Sequence, residues 1–504
     1  MVISLPHDIL VSIIRDYQLD KETLCSLSLV SRSFCEAAQG VLFRRVNLSH
    51  DSRNMFTTSW EMDEVLPRFK WKKLQFIANC TRLHRSIRSL CVMIYSSDQL
   101  PTHVKERYWK EGGGRALLDE LDRWLPRALK RMSALSQFFY SGPPMRAPLH
   151  RTILRHATLE VLHLMPKTWC AVPCENAVKR ARSTSIHCLQ FEEIGDEVEA
   201  FGIPPYPIGP RQCAYTTHMI FTHAASLQTI IAPITLLYDA IRCFRNLPEL
   251  PRLSTLNILN SRLKSSFLPS YPTMTAEVVR LILLTSKTLV KLLWGQKLVE
   301  EMTSSIATTQ MPNLDVFAGY GVLPVVKAAQ SLRVLGVRGF RPNDIDAETN
   351  ISLLRAASRY QPNLSVLSVS TSTRAMIIPL DICVFSNITE LWYDETVDCT
   401  VFDEQLTDDI KYDHDFLGIV LPALPKLKSV CLTQTGGMGF SLPRQEDYAQ
   451  LSLTSSQSLL WLTLQRIYSR LYWRWDTRRK DLECSWVHTT FYRFEDLRHF
   501  DYQE

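Results

Sequence analysis

His156, His163, Cys170 and Cys174 are the one arrangement in this sequence to weigh as metal ligands. Structural zinc requires ligands at the short spacings of a compact finger, and these four match no such pattern well, so no metal is expected. Carboxylates are dense from Glu390 to Asp415, where ten of them stand against the lone Lys411. Acid–base work needs two carboxylates brought together in space, which a run of charge does not supply, and the bland reading is a solvated face. No Gly-x-Gly-x-x-Gly or Gly-x-x-x-x-Gly-Lys-Ser/Thr loop is present, and Gly112 to Gly114 joins helical patterns as a loop. His-Glu-x-x-His, Gly-x-Ser-x-Gly and Cys-x-x-Cys are missing too. The expectation is a non-catalytic chain with no cofactor.

The elements that position these residues must therefore serve binding. At 504 residues, with 46% hydrophobic, 21% charged and only 17 Gly, the chain affords a sizeable core and is expected to be ordered nearly throughout. A net charge of +6 is small for this length, but it is unevenly spread. Residues 65–97 carry Arg68, Lys70, Lys72, Lys73, Arg82, Arg85 and Arg88 and no acid. Thirteen cysteines without repeated spacing argue for reduced, buried thiols rather than a disulfide framework. The N-terminus, MVISLPHDIL, lacks the early basic residues and unbroken apolar run of a secretory signal. The expected location is thus cytoplasmic and/or nuclear, which sets aside the sequons at Asn47, Asn79, Asn350, Asn363 and Asn387. Residues 219–241 are apolar enough to suggest a membrane span, but His223, Gln228 and Pro233 interrupt them and the pattern divides into helix, strand and helix.

Residues 5–46 read as three short helices. Ile9, Leu10, Ile13 and Ile14 form one stripe at helical period, with Pro6 in the first turn where a missing N–H is tolerated. Asp20 is placed to cap a second helix carrying Leu24, Leu27 and Val30, and Ser31 a third carrying Phe34, Ala37, Ala38 and Leu42. So small a bundle buries little, and its surplus apolar residues ask for a partner.

This stretch resembles an F-box. LPHDIL matches the opening Leu-Pro-x-Asp/Glu-hydrophobic-Leu pattern, SLSLVSRSF the Leu-x-x-Val-Ser-[Arg/Lys]-x-aromatic centre, and VLFRRV the closing segment, with Phe34 where Trp is commoner. The resemblance implies docking onto a Skp-type adaptor and, through it, a cullin-RING ubiquitin ligase. By position, Leu5, Pro6, Ile9, Leu10, Ile13, Leu24, Leu27, Val30 and Phe34 supply the contacts or the bundle that presents them.

Beyond Asn47 a phrase recurs: a polar residue, then Leu-x-x-hydrophobic-x-hydrophobic, usually after an amphipathic helical pattern. Thirteen copies are legible, nine of them clear, such as TLEVLHL from Thr158 and NLSVLSV from Asn363. The last two apolar positions alternate as a half-buried strand requires, and helix-then-strand units at intervals of some twenty to forty residues describe a solenoid. The pattern resembles irregular leucine-rich repeats, a familiar companion of the F-box, particularly in fungal proteins. The expected fold is α/β: an F-box over 1–46, a solenoid over 47–470 with concave parallel strands and convex helices, and a C-terminal β-hairpin cap over 471–504.

On the concave face, the outward positions of the phrases are candidates for holding a target protein. They include Val334, Gly336 and Arg338 of one phrase, and Glu390, Trp392 and Asp394 of another. The same register adds His163, Gln190, Glu192, Asn257, Lys291, Ser368 and Thr463 as exposed positions, with Trp392 as an aromatic anchor between two carboxylates. The function read from these features is a substrate-recognition subunit of an SCF-type ubiquitin ligase. The alternatives are a repeat scaffold with no ligase role, or a nucleic-acid binder using the basic run over 65–97 and Arg466, Arg470, Arg474, Arg478, Arg479 and Lys480 beside the C-terminal tryptophans.

Overall fold

A computed structural model of the chain describes residues 7–16, 19, 21–51, 71–95, 113–141, 147–164, 186–191, 219–242, 249–259, 271–294, 305–319, 322–340, 347–371, 382, 384–396, 418, 420–435, 461–466, 471–476 and 481–486. The chain divides into two compact units, one of residues 1–253 with 259–281 and the other of 254–258 with 282–504. A strand over 45–51 spans the 46/47 boundary expected above.

The first unit opens with α1 (His7–Asp16), α2 (Lys21–Leu27) and α3 (Arg32–Leu42), followed directly by β1 (Arg45–Asp51). Then come α4 (Lys72–Asn79), α5 (Thr81–His84), β2 (Ser89–Tyr95), α6 (Gly113–Arg131), β3 (Gln137–Ser141), α7 (Ala147–Leu154), β4 (Val161–Leu164), β5 (Cys188–Phe191), β6 (Thr229–Pro233) and α8 (Ile234–Arg242). Strands β1 to β6 pair in chain order, each parallel to the next. Parallel neighbours need a crossover, and from β1 to β4 the helices α4 to α7 supply it. In α6, Leu121, Leu125, Ala128 and Leu129 recur at helical spacing and are all buried, so the helix lays one face on the core. Residues 219–241 resolve into a helical turn over 219–223, then β6, then α8, as their interrupted hydropathy implied. Among the described residues no helix is long and apolar enough to cross a membrane.

Two elements, β7 (Thr255–Leu259) and α9 (Tyr271–Thr285), straddle the division. The second unit continues with β8 (Lys291–Trp294), β9 (Val316–Gly319), α10 (Val322–Ala328), β10 (Val334–Phe340), α11 (Ala347–Tyr360), β11 (Val366–Thr371), β12 (Glu390–Thr396), β13 (Ser429–Thr435) and β14 (Trp461–Arg466). From β7 to β14 every pairing is again parallel and sequential. The chain then reverses: β15 (Leu471–Asp476) and β16 (Asp481–Trp486) pair antiparallel, the two strands expected around a polar turn.

Each of the thirteen phrases is a strand of this series, β2 to β14. The leading apolar residue is buried in phrase after phrase, as at Ile87, Leu135, Leu159, Leu253, Leu314 and Leu427, each at most 1% exposed. The two alternating positions that follow are buried as well, as at Leu162 and Leu164 or Leu367 and Val369. One face of each strand from β1 to β13 is thus buried, and burying a side chain of this size stabilises by roughly 1.5–3 kcal/mol.

The polar residue that opens the phrase has a role the pattern alone did not disclose. Thr158 Oγ1 donates to the Leu135 carbonyl at 2.8 Å, Ser226 Oγ to Ile186 at 2.8 Å, Asn313 Nδ2 to Lys287 at 2.7 Å and Asn387 Nδ2 to Pro362 at 2.8 Å. Each bond runs back to the preceding repeat. It satisfies a turn carbonyl that the sheet does not use, and it sets the spacing between repeats.

Gly319 closes β9 where most other phrases carry a large side chain. A Cβ there meets the Trp294 Cβ at 2.8 Å and the Trp294 carbonyl oxygen on the neighbouring strand. Backbone cannot swing aside as a flexible side chain can. Gly319→Ala is therefore expected to destabilise by about 1–3 kcal/mol, read as a lowered denaturation midpoint.

Candidate functional site

The N-terminal bundle is held by Leu10, Ile14, Leu24, Ala37 and Ala38, with Val11, Leu19, Leu27, Phe34, Val41 and Leu42 packed around them. Alanines at 37 and 38 let α3 approach closely, and α1 and α2 both pack on it. Ser31 caps α3: its hydroxyl accepts the Phe34 N–H at 3.3 Å from an extended backbone, as the sequence indicated. Arg32 and Glu36 make an exposed i,i+4 pair at 3.2 Å, which contributes little. Leu5, Pro6 and Asp20 lie outside the described residues.

The apolar stripe of α1 does not act as one surface. At 100° per residue, Ile9, Ile13, Leu10 and Ile14 spread over about 140° of the helix, wider than α3 covers. Leu10 and Ile14 fall on the covered side at 4% and 2% exposure, whereas Ile9 and Ile13 stand at 47% and 40%. Beyond α2, Leu29 and Val30 are exposed at 87% and 65%. Of the expected docking residues, Ile9, Ile13 and Val30 are thus available to a partner, Leu10 and Leu24 build the core, and Leu27 and Phe34 flank it. Leu29, absent from the expected set, is the most exposed of the large apolar residues here.

On the strands, the face away from the helices carries one continuous register row in each unit. In the first unit Cys91, Phe139, His163 and Gln190 are cross-strand neighbours, all partly exposed. The Phe139 and His163 rings meet edge to face, centroids 4.3 Å apart. In the second the row runs Asn257, Leu293, Ala318, Gly336, Ser368, Trp392, Cys431 and Thr463.

Several positions on the second row differ from the open placement expected of them. Asn257 is 5% and Ser368 2% exposed, and Val334 and Gly336 are buried too. Leu293 and Ala318 make a small apolar cluster of their own with Val316. Period-two alternation fixes which face a residue takes but not whether that face stays open, so alternation could not foresee this. Lys291 is half-buried. Trp392 is half-buried as well and hydrogen-bonds Glu390 within the protein, rather than standing clear between two carboxylates. Burial pushes the Glu390 carboxyl above its usual range, opposed by that bond and by the charge of Arg333. Arg333 itself holds Asp315 at 2.9 Å. Arg338 falls where the β10–β11 register shifts between Val337 and Phe340. The side chains of Asp394 and Thr463, and the whole of Glu192, lie outside the described residues.

The residues weighed as metal ligands are not a cluster here. His156 hydrogen-bonds the Leu129 carbonyl at 3.1 Å, His163 packs on Phe139, and Cys170 and Cys174 lie outside the described residues. Among the described residues no group of His, Cys, Asp or Glu is placed to hold a metal ion.

No curated protein matches the chain. One family model does, over residues 2–49, and its description is F-box-like. A closed three-helix core with isoleucines left outside it agrees with that match, and the N-terminal module of this chain is an F-box-like domain.

Proposed function

We propose that this chain is the substrate-receptor subunit of an SCF-type ubiquitin ligase, docking a Skp-type adaptor through its F-box-like domain and a target protein through its strand repeats. The observation that carries the reading is the domain's pairing of a satisfied core with Ile9, Ile13, Leu29 and Val30 left in water. F-box domains generally bind such adaptors, and large side chains exposed together on so small a module are the mark of a protein-binding surface. Leu5 and Pro6 extend that surface in sequence. The repeats are read as irregular leucine-rich repeats, with β15 and β16 covering their end, since an open solenoid leaves its last apolar edge to water. Cytoplasm and nucleus are where such a receptor works. Its chemistry is proximity, raising the concentration of target lysines near an activated ubiquitin, so it needs no catalytic residue of its own.

Copurification with a Skp-type adaptor tests this. The intact chain is expected to retain the adaptor, and Ile9→Asp with Ile13→Asp to lose it while the melting temperature holds. Hot-spot truncations cost about 2 kcal/mol or more each, so the pair should weaken binding by roughly a hundredfold or more. Leu10→Ala is a poor substitute, because Leu10 is 4% exposed and its loss unfolds the module along with the surface. Failure of the intact chain to retain any adaptor sinks the reading.

A further inference from the structure

We propose that the open strand face of the first unit, with the arginines at its edge, is where a target is held, and that it takes an extended peptide with a carboxylate two residues from a large apolar side chain. This rests on the receptor reading above and adds the place and the chemistry of the target segment.

The two units treat the same register row differently. In the second, Asn257, Leu293, Ala318, Ser368 and Cys431 are each at most 5% exposed, and among the described side chains of the row Trp392 alone is partly exposed. In the first, Cys91, Phe139 and His163 are partly exposed on three adjacent strands. Parallel strands lie about 4.8 Å apart, so this apolar strip is about 10 Å across, enough for one large side chain laid over the Phe139 ring.

Charge supplies the second half of the match. Arg45 lies on the same face, and Arg44, Arg85 and Arg88 are exposed at the strand entrances beside it. Arg44 and Arg88 are immediate neighbours, since the Arg88 N–H donates to the Arg44 carbonyl at 2.9 Å. Arg45 pairs with Ser89, two residues before Cys91 and about 7 Å along the strand on the same face, a step that an extended peptide also covers in two residues with both side chains turned to one side. None of the described side chains on this face is acidic, and exposed Glu160, farther along the entrances, bounds the basic stretch. The arginines sit within two strand spacings, which suits one or two carboxylates of a peptide rather than the long phosphate track of a nucleic acid.

The test is a display library of random 12-residue peptides panned on the full-length protein, followed by anisotropy with the selected peptide. Expected are sequences with Asp or Glu two residues from Phe, Leu or Met. Arg45→Glu with Arg88→Glu should weaken the selected peptide about tenfold or more, and Phe139→Ala should remove the preference for the apolar residue. Both are surface changes, checked by an unaltered melting temperature. Selection of peptides without a carboxylate, or binding indifferent to the charge reversal, overturns the proposal. So does a single-stranded oligonucleotide that displaces the peptide at physiological salt and is itself lost on reversal. Adaptor retention, measured on the same preparations, reports on the receptor reading separately.

Discussion

Gln361→Met is expected to cost roughly 3–5 kcal/mol of stability, although it removes no charge and scarcely changes volume. Gln361 is 4% exposed, and its amide is fully used: Oε1 accepts the Leu332 N–H at 2.9 Å, while Nε2 donates to the Val326 and Ala329 carbonyls, both at 2.9 Å. One side chain thereby ties the end of α11 to the end of α10 and to the start of the next strand phrase. Methionine fills the space but leaves one donor and two acceptors buried without partners, each costing about 1–3 kcal/mol. Denaturant unfolding of the two proteins reads the difference directly. A loss under about 1 kcal/mol would mean that water reaches these groups once the amide is gone, and the three bonds would not be what holds the repeats together.

The second large effect is of pH. His223 is 1% exposed at the end of the helical turn before β6, and neither ring nitrogen has a hydrogen-bond partner among the described residues. Burial pulls its pKa from 6.5 down to about 4. The folded protein therefore holds the neutral ring, and between these values the unfolded chain binds the proton more tightly. Stability from this group is complete above pH 6.5 and falls as pH drops toward 4, by roughly 3 kcal/mol in all. His156, lowered by burial and partly restored by its bonds to Leu129 and Met132, adds to the same slope. Glu390 opposes it: a carboxyl raised by burial stabilises the fold at low pH and loses that contribution as pH rises through its folded value. Unfolding free energies at pH 7.5 and 5.0 should differ by about 2 kcal/mol in the native protein and by much less in His223→Leu. Equal slopes in the two would remove His223 as the cause.

How far the sequence reached can be traced position by position. The phrase beginning at Thr158 placed its strand and its buried leucines because burial on one strand face needs only a local period of two. Ser31 announced a helix start because capping is settled within one turn. β1 escaped notice because it begins inside the closing F-box segment and its phrase opens with Leu42 and Phe43 in place of a polar residue and leucine. For the binding surfaces the residue types were legible and their exposure was not. Ile9 and Leu10 are adjacent isoleucine and leucine on one helix, and only the approach of α3 decides which is core and which is surface.

The sequence by itself determined the F-box-like module, the order of strands and helices, and the face of each strand turned to the helices. All three follow from interactions over a few residues, where period and side-chain size leave one arrangement. The tertiary structure decided the rest. It buried Asn257 and Ser368 while leaving Phe139 and His163 partly open, drew Arg44 beside Arg88, and set Gln361 among three backbone groups from residues 326 to 332. Those outcomes depend on which segments meet across distant repeats, and a local pattern carries no information about what will be packed against it.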